Sequence, residues 1–286
     1  MIGKGLMMPD IGFLGVLAHP DDEQLMTGTF AQLAADGLRT GLVCATRGES
    51  GQIHPESGAT PETIGQVREA ELRAACVVAG IKNLWFLDYR DSGWFDSPEN
   101  DHPDAFCNAD EEEALERLVR IVREFKPTVM ATFDRTGGYG HLDHLMVHKL
   151  TNLAFHASGD PSRFPSAGKP WQPARVYYSS FARSATRGYA RRLLELDPDS
   201  GLAQVDFTNM GLPDEEITNS LDVSKWIELK QLSLSQHRTQ KGDQDRFAKM
   251  PKELTNVIVG TEHYALGPGV PLPEGPRLNK SLFAGL

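Results

Sequence analysis

The chain has 286 residues, of which 40% are hydrophobic, and a formal net charge of −10. This length allows one large α/β domain with a full core, and the acidic balance excludes a general nucleic-acid binder, because phosphate binding needs a basic face. The cysteines have no paired spacing, which excludes a disulfide framework and a four-cysteine zinc site. No window approaches the ~18 apolar residues of a membrane span. We expect a cytoplasmic protein without a membrane partner that acts on a small molecule, and a homo-oligomer is compatible with the sequence.

The first predicted unit is a strand, a turn and a helix. Residues 11–18 form a continuous apolar run, which favours a strand buried on both faces of a parallel sheet. The run ends at His19. Pro20 and the acidic residues after it suit the first turn of a helix, which we expect to continue to Ala35 before Gly37.

The same alternation continues to about residue 160. It predicts further strands at 40–46, 83–88 and 128–133, and helices at 61–79, 110–125 and 143–156. Strands that alternate with helices indicate an α/β fold, a Rossmann-like doubly wound and mostly parallel sheet with helices on both faces. Ligands of such sheets bind beyond the carboxyl ends of the strands, where the strand order reverses.

Beyond residue 174 the pattern is weaker and predicts a strand at 175–181 and helices at 187–196 and 223–240. We expect a single domain over 1–286, with a core at about 10–160 and an embellished C-terminal extension at about 175–286. The polar stretches 91–109 and 157–174 are predicted to be long surface loops that rim a site.

Two histidine-containing segments follow the first and fourth predicted strands, at the ligand-binding edge. His19 and Asp22 are three residues apart in the first turn, and His141 or His144 can complete a set of two histidines and one carboxylate with a fourth position open for water. The alternative is that these residues are helix caps and surface polar groups. His148 lies four residues after His144 but without an adjacent glutamate, so we expect it to be structural.

The segments Ala18-His-Pro-Asp-Asp-Glu23 and His141-Leu-Asp-His144 resemble the two signatures of the LmbE-like, or PIG-L, family of zinc-dependent N-deacetylases. The similarity extends to Arg68, Arg90-Asp-Ser-Gly93, Gly137-Gly-Tyr-Gly140, Gln236-His-Arg-Thr-Gln240 and Glu262-His-Tyr-Ala265. These segments look most like the branch that acts on glucosaminyl-inositol and glucosaminyl-malate conjugates in mycothiol and bacillithiol metabolism.

The resemblance implies a role for each motif residue. His19, Asp22 and His144 are expected to bind Zn²⁺, for which Fe²⁺ could substitute, and Asp21 to be the general base. The remaining motif residues are expected to serve the oxyanion: His141 and Tyr139 as its stabilisers, and Asp143 as the residue that orients His141.

The resemblance also implies that Arg68, Glu49 and Asp91 contact the sugar. The sequence departs from the family's pattern at Gln24-Leu-Met26 and at Trp94, which flank the expected substrate pocket. Specificity is therefore the property that the resemblance transfers least directly.

The predicted function is zinc-dependent deacetylation of an N-acetylglucosamine conjugate. Zinc lowers the pKa of a bound water from ~15.7 towards ~7, so a nearby carboxylate can take its proton near neutral pH. Three alternatives remain: an amidase that cleaves S-conjugates of a low-molecular-weight thiol, a different metal hydrolase, and a glycan-binding protein without turnover.

Overall fold

The structure is a computed structural model that describes residues 11–196, 210–240, 259–275 and 278–286. The strands in these ranges are β1 (Gly12–Leu17), β2 (Arg39–Thr46), β3 (Asn83–Tyr89), β4 (Val129–Phe133), β5 (Arg175–Ser180), β6 (Asn219–Asp222) and β7 (Thr261–Gly269). The helices are α1 (Thr27–Ala35), α2 (Ile64–Ala79), α3 (Glu111–Phe125), the four-residue α4 (Gly137–Gly140), α5 (Leu142–Ala157), α6 (Arg183–Leu196) and α7 (Ile227–Leu234).

All seven of these strands belong to one sheet, in the order β3-β2-β1-β4-β5-β7-β6. Strands β1 to β5 pair in parallel, whereas β7 pairs antiparallel with both of its neighbours. Helices α1, α2 and α7 pack together, and α3 packs against α5. The predicted doubly wound, mostly parallel fold is confirmed, and its strand order reverses between β1 and β4.

The centre of the sheet is fully buried. Phe13, Leu14 and Val16 on β1 are at most 1% exposed, as the continuous apolar run predicted. The ring of Phe30 on α1 packs edge-on against Phe13, with ring centroids 5.2 Å apart. This packing fixes the position of the turn that joins β1 to α1.

That turn differs from the prediction. A helix was expected from Pro20 onward, but residues Asp22–Leu25 form a short 3₁₀ turn and α1 begins only at Thr27. The physical reason is the backbone of Asp21, whose φ of 106° is incompatible with a right-handed helix. The interruption lies in the candidate active site.

The C-terminal third joins the sheet more fully than the sequence predicted. The expected helix over 223–240 is only α7, flanked by 3₁₀ turns, and strands β6 and β7 were not predicted. Strand β7 ends in Leu-Gly-Pro-Gly, a sequence that is typical of a loop. It is stabilised by pairing with β5, which is its neighbour in the sheet but lies far away along the sequence.

Arg175 at the start of β5 ties down the end of the chain. Its side chain is fully buried, and it donates hydrogen bonds to the carbonyl oxygens of Val270, Pro271 and Ala284 at 2.6, 2.8 and 2.7 Å. A guanidinium that satisfies several carbonyls in this way fixes a segment that has no regular structure of its own.

Only one of the two long loops lies at the ligand-binding edge. Residues 91–109 connect β3 to α3 and therefore follow the carboxyl end of a strand. Residues 157–174 lead from α5 into β5, which puts them at the amino end, where Arg123 of α3 binds several of their carbonyls. The prediction that 157–174 rims the site was wrong, because a loop that precedes a parallel strand lies at the opposite edge. Within the described ranges, no helix is long and apolar enough to cross a membrane.

Candidate metal centre and active site

The turn after β1 presents His19 and Asp22 at the strand-order reversal. One carboxylate oxygen of Asp22 accepts hydrogen bonds from the backbone N–H groups of His19 at 2.7 Å and Ala18 at 3.2 Å, which closes the turn. Burial would raise the pKa of Asp22, but His144 and His19 lower it far below its usual value. Asp22 is therefore ionised.

The second cluster lies at the start of α5, directly after β4. The ring of His144 stacks on Phe133 with centroids 3.9 Å apart, and its Nδ1 lies 2.9 Å from the carbonyl oxygen of Gly137. Because a carbonyl can only accept, Nδ1 carries the proton and Nε2 presents a lone pair. Burial lowers the pKa of His144, which favours this neutral form.

His19 is oriented in the complementary way. Its Nε2 lies 3.0 Å from a carboxylate oxygen of Asp143 and 3.4 Å from one of Asp91, so this nitrogen donates. Its Nδ1 faces Nε2 of His144 at 3.2 Å. Burial lowers the pKa of His19, but Asp91, Asp143 and Asp22 raise it well above its usual value, so these carboxylates favour a cation at Nδ1, either a proton or a metal ion in its place.

The donor groups of His19, Asp22 and His144 lie close to the spacing of ligands around one tetrahedral ion. Ligand atoms that each lie ~2.0–2.1 Å from zinc are about 3.3 Å apart in tetrahedral geometry. Here Nδ1 of His19 lies 3.2 Å from Nε2 of His144, one oxygen of Asp22 lies 3.5 Å from the His19 nitrogen, and the other oxygen of Asp22 lies 3.4 Å from the His144 nitrogen. The residues present therefore fit a divalent metal ion.

His141 also comes close enough to be a ligand, since one ring nitrogen from each of His19, His141 and His144 lies within 4.8 Å of the other two. Its hydrogen bonding favours another role. Nδ1 of His141 accepts from the backbone N–H of Asp143 at 3.2 Å, which leaves the proton of the neutral ring on Nε2. Burial and the charge on His19 lower the pKa of His141 to about 4, so the ring is a neutral donor at pH 7.

Asp143 was predicted to orient His141, and the structure shows a different arrangement. Its carboxylate binds His19 and both the N–H and the hydroxyl of Ser92, whereas only its backbone N–H contacts His141. A carboxylate that accepts from a ligating histidine fixes the ring and its tautomer. Sequence reasoning missed Ser92, although it lies in the Arg-Asp-Ser-Gly segment that follows β3.

Asp21 lies between the two ligand residues of the turn and borders a cavity. Its side chain is 31% exposed towards this space and otherwise surrounded by protein. Burial, the largest cause, raises the pKa of Asp21 to about 6, although the Arg68 guanidinium acts in the opposite direction. A carboxylate with a pKa near neutrality is suited to accept and release a proton.

The three predicted sugar contacts are engaged with the protein. Buried Arg68 donates to the carbonyl oxygens of Gly48 at 3.0 Å and Pro20 at 2.5 Å, and to Asp21. Asp91 accepts from the N–H of Gly93 at 2.9 Å, and Glu49 accepts from the N–H of Asp91 at 3.1 Å. None of the three borders the cavity beside the donor cluster. Their contact with sugar stays a prediction.

Tyr139 lies on a turn that its sequence makes possible. Gly137, Gly138 and Gly140 have φ angles of 63°, 74° and 93°, which other residues adopt at a cost, and a Cβ on Gly137 would lie 2.9 Å from the Cβ of His144. The Tyr139 ring is 49% exposed and stacks on that of Trp94, with centroids 5.5 Å apart. Tyr139 borders the cavity from this glycine-rich turn.

A residue that the sequence did not single out holds this turn. Asp134 is 1% exposed, and one of its oxygens accepts from the N–H of Thr136 at 2.7 Å while the other accepts from the hydroxyl of Ser180 at 2.5 Å. The Tyr139 turn is therefore attached to the end of β5.

A cavity of about 360 Å³ opens from the donor cluster towards the C-terminal third. Asp21, Asp22 and His144 border it at one end, and His263, whose Nδ1 lies 2.8 Å from the hydroxyl of Ser220, borders it further along. Between them the wall is largely apolar. The residues of this wall include Leu25, Phe133, Phe181, Met210, Leu234 and Val259. His148 takes no part, because its Nδ1 bonds the Phe133 carbonyl at 2.9 Å.

The GlcNAc-PI de-N-acetylase (PIG-L) family profile matches residues 14–155, which contain both histidine segments. The chain is 35% identical, over an alignment 303 positions long, to the 1D-myo-inositol 2-acetamido-2-deoxy-alpha-D-glucopyranoside deacetylase of Thermobispora bispora, with 98% of this chain and 100% of that protein covered. The chain belongs to the PIG-L family. The predicted enzyme class, an N-deacetylase, is confirmed by this membership.

Two solved structures have the same fold. The N,N'-diacetylchitobiose deacetylase of Pyrococcus horikoshii superimposes with a TM-score of 0.64 at 18% identity, covering 90% of this chain and 84% of that one. The 4-carboxy-2-hydroxymuconate hydratase of Pseudomonas putida gives 0.61 at 19% identity, with 93% and 100% covered. Because a hydratase shares the fold, the fold alone does not define the reaction.

Proposed function

We propose that this PIG-L family member hydrolyses the acetamide of an N-acetylglucosaminyl conjugate and releases acetate and a free amino sugar. The substrate is of the inositol- or malate-linked type, in keeping with the full-length relatives, whose names specify an acetamido-glucopyranoside of inositol. The observation that carries the proposal is the spacing of the donor atoms of His19, Asp22 and His144, which suits one tetrahedral ion.

These three residues would hold zinc, with Fe²⁺ as the alternative ion, since imidazole and carboxylate ligands suit both metals. A zinc ion in this position would acidify a coordinated water and polarise the amide carbonyl. The Gly137 carbonyl binds Nδ1 of His144, and the Asp143 carboxylate binds Nε2 of His19. These hydrogen bonds would keep the other nitrogen of each ring directed at the ion.

Asp21 accepts the proton of the attacking water. Its pKa, raised to about 6, leaves it ionised at neutral pH yet basic enough to take a proton, and the protonated carboxyl can then deliver that proton to the leaving nitrogen. The nitrogen departs as an amine, and the acyl carbon gains the water oxygen. Proton and atom counts balance without another reactant.

His141 and Tyr139 donate to the oxygen of the acetamide as it becomes negative. The neutral His141 ring carries its proton on Nε2, the nitrogen that the Asp143 backbone leaves free. Burial, the largest cause, raises the pKa of Tyr139 above its usual value, so its hydroxyl remains a donor across the working pH range. Fixed donors at this oxygen contribute ~2.7–4 kcal/mol each in other enzymes.

Reconstitution tests the metal part of the proposal. The protein is stripped with a chelator and reloaded with Zn²⁺ or, without oxygen, Fe²⁺, and acetate release is measured against the amount of bound metal. Activity is expected to return in proportion to one ion per chain. Full activity of the stripped protein would overturn the proposal.

A further inference from the structure

A buried carboxylate connects the backbone of Asp21 to the C-terminal third. Glu23 is fully buried, and one of its oxygens accepts the backbone N–H of Asp21 at 3.0 Å. Its other oxygen lies 2.7 Å from Nε2 of His237, 214 positions along the chain, and 2.7 Å from the amide nitrogen of Gln24. The proposed mechanism uses neither Glu23 nor His237.

The backbone that Glu23 holds is strained. Asp21 has φ 106° and ψ −22°, a conformation that is unfavourable for a non-glycine residue. A conformation of this kind persists only where the surroundings enforce it. Glu23 fixes the N–H of Asp21 on one side of the strained residue, and Arg68 fixes the carbonyl of Pro20 on the other.

His237 binds the carboxylate of Glu23 from a segment that is held in place separately. The ring is completely buried, and the segment that carries it is attached independently by Thr239, whose N–H and hydroxyl donate to Glu71 on α2 at 3.0 and 2.6 Å. Two residues of one short segment therefore reach different elements. Thr239 contacts a helix, and His237 contacts the turn that carries the base.

We infer that His237 and Glu23 are a positioning pair that holds the Asp21 carboxylate in its working orientation by fixing the strained backbone of that residue. The inference rests on the proposed role of Asp21 as the base. His237 does not touch substrate in this account, and its effect on turnover passes entirely through Asp21.

A double-mutant cycle separates positioning from general support of the fold. His237→Leu is expected to lower kcat by roughly 10- to 100-fold, because small misplacements of a catalytic group have effects of this size, while KM changes by less than about twofold and one metal ion remains bound per chain. In the Asp21→Asn background, the same substitution is expected to change kcat by less than about twofold. Once the base is lost, its orientation no longer affects turnover, so the effects of the two substitutions do not add.

Two further variants serve as controls. His237→Gln keeps an amide donor near Glu23 and is expected to recover most of the lost turnover. Thr239→Val removes the hydroxyl contact to Glu71 from the same segment, and is expected to lower the melting temperature but leave kcat within about twofold of the wild type. Glu23→Gln repeats the cycle if His237→Leu does not fold, because it retains the side-chain volume and changes the acceptor to an amide.

The outcomes distinguish this inference from the proposed function. If Asp21→Asn itself retained full turnover, the base role would fail and the positioning pair with it. If Asp21→Asn lost turnover but His237→Leu and Glu23→Gln reduced kcat by the same factor in both backgrounds, or no more than Thr239→Val does, only the positioning role would be overturned.

Discussion

The guanidinium of Arg68 donates a hydrogen bond of 3.0 Å to a carboxylate oxygen of Asp21 from a position that is only 4% exposed. Its other contacts are main-chain carbonyls, so the side chain is directed at the base and not at the cavity. Arg68 thus stabilises the ionised form of Asp21, against the burial that raises its pKa to about 6.

Arg68→Ala is expected to shift the acid limb of the kcat/KM profile to higher pH. The positive charge lowers the pKa of Asp21, so its removal raises that pKa, and a base that must be ionised then needs a higher pH. Turnover should fall at pH 7 and partly recover at pH 9. Arg73→Ala, an exposed residue of the same helix, is the control. An unchanged limb with a raised KM would indicate direct sugar contact instead.

Single substitutions at the proposed ligands should remove the metal. His19→Ala, Asp22→Ala and His144→Ala are each expected to reduce the bound metal from one ion per chain to a small fraction after dialysis, as measured by elemental analysis. His148→Ala, on the same helix as His144 but bonded to the Phe133 carbonyl, should retain it. Full occupancy in all three variants would rule out this ligand set.

Asp21→Asn should separate metal binding from turnover. The amide cannot accept the proton, so kcat is expected to fall by ~10²–10⁴-fold while the metal content is unchanged. Circular dichroism and elemental analysis on the same preparation provide the controls. Turnover within threefold of the wild type would assign the base to another residue.

Tyr139→Phe should have a smaller effect than Asp21→Asn. The hydroxyl is one donor among several and sits on a half-exposed ring, so we expect a decrease in kcat on the order of tenfold, with metal retained. Stopped assays at saturating substrate measure it. Loss of metal in this variant would show that the tyrosine supports the centre itself.

Much of the site could be predicted because its signals are local. Each histidine segment directly follows a buried strand, and neighbouring parallel strands bring their carboxyl ends together, so His19 and His144 had to approach one another. The contacts that orient them are long-range. Ser92 reaches Asp143 across 51 positions and His237 reaches Glu23 across 214, and no periodicity or spacing encodes such pairs.

Arg68 illustrates the same limit. Its place in the family's pattern implies a sugar contact, which stays a prediction, but its hydrogen bond to Asp21 depends on how α2 packs against the turn after β1 and could not be predicted. Strand β7 was missed for a related reason, since its glycines and proline have low strand propensity and only the pairing with β5 makes it extended.

The central claim, deacetylation of a glucosaminide by a metal-dependent site, is tested most directly by quantifying both products. The metal-loaded protein is incubated with N-acetylglucosaminyl-inositol, with a simple N-acetyl amine and with an S-conjugate amide, and acetate and primary amine are measured together. We expect equimolar acetate and amine from the glucosaminide and far less of both products from the simple N-acetyl amine. Neither product is expected after removal of the metal. Equal cleavage of sugar and non-sugar acetamides, or an intact glucosaminide beside a cleaved S-conjugate, would contradict the claim.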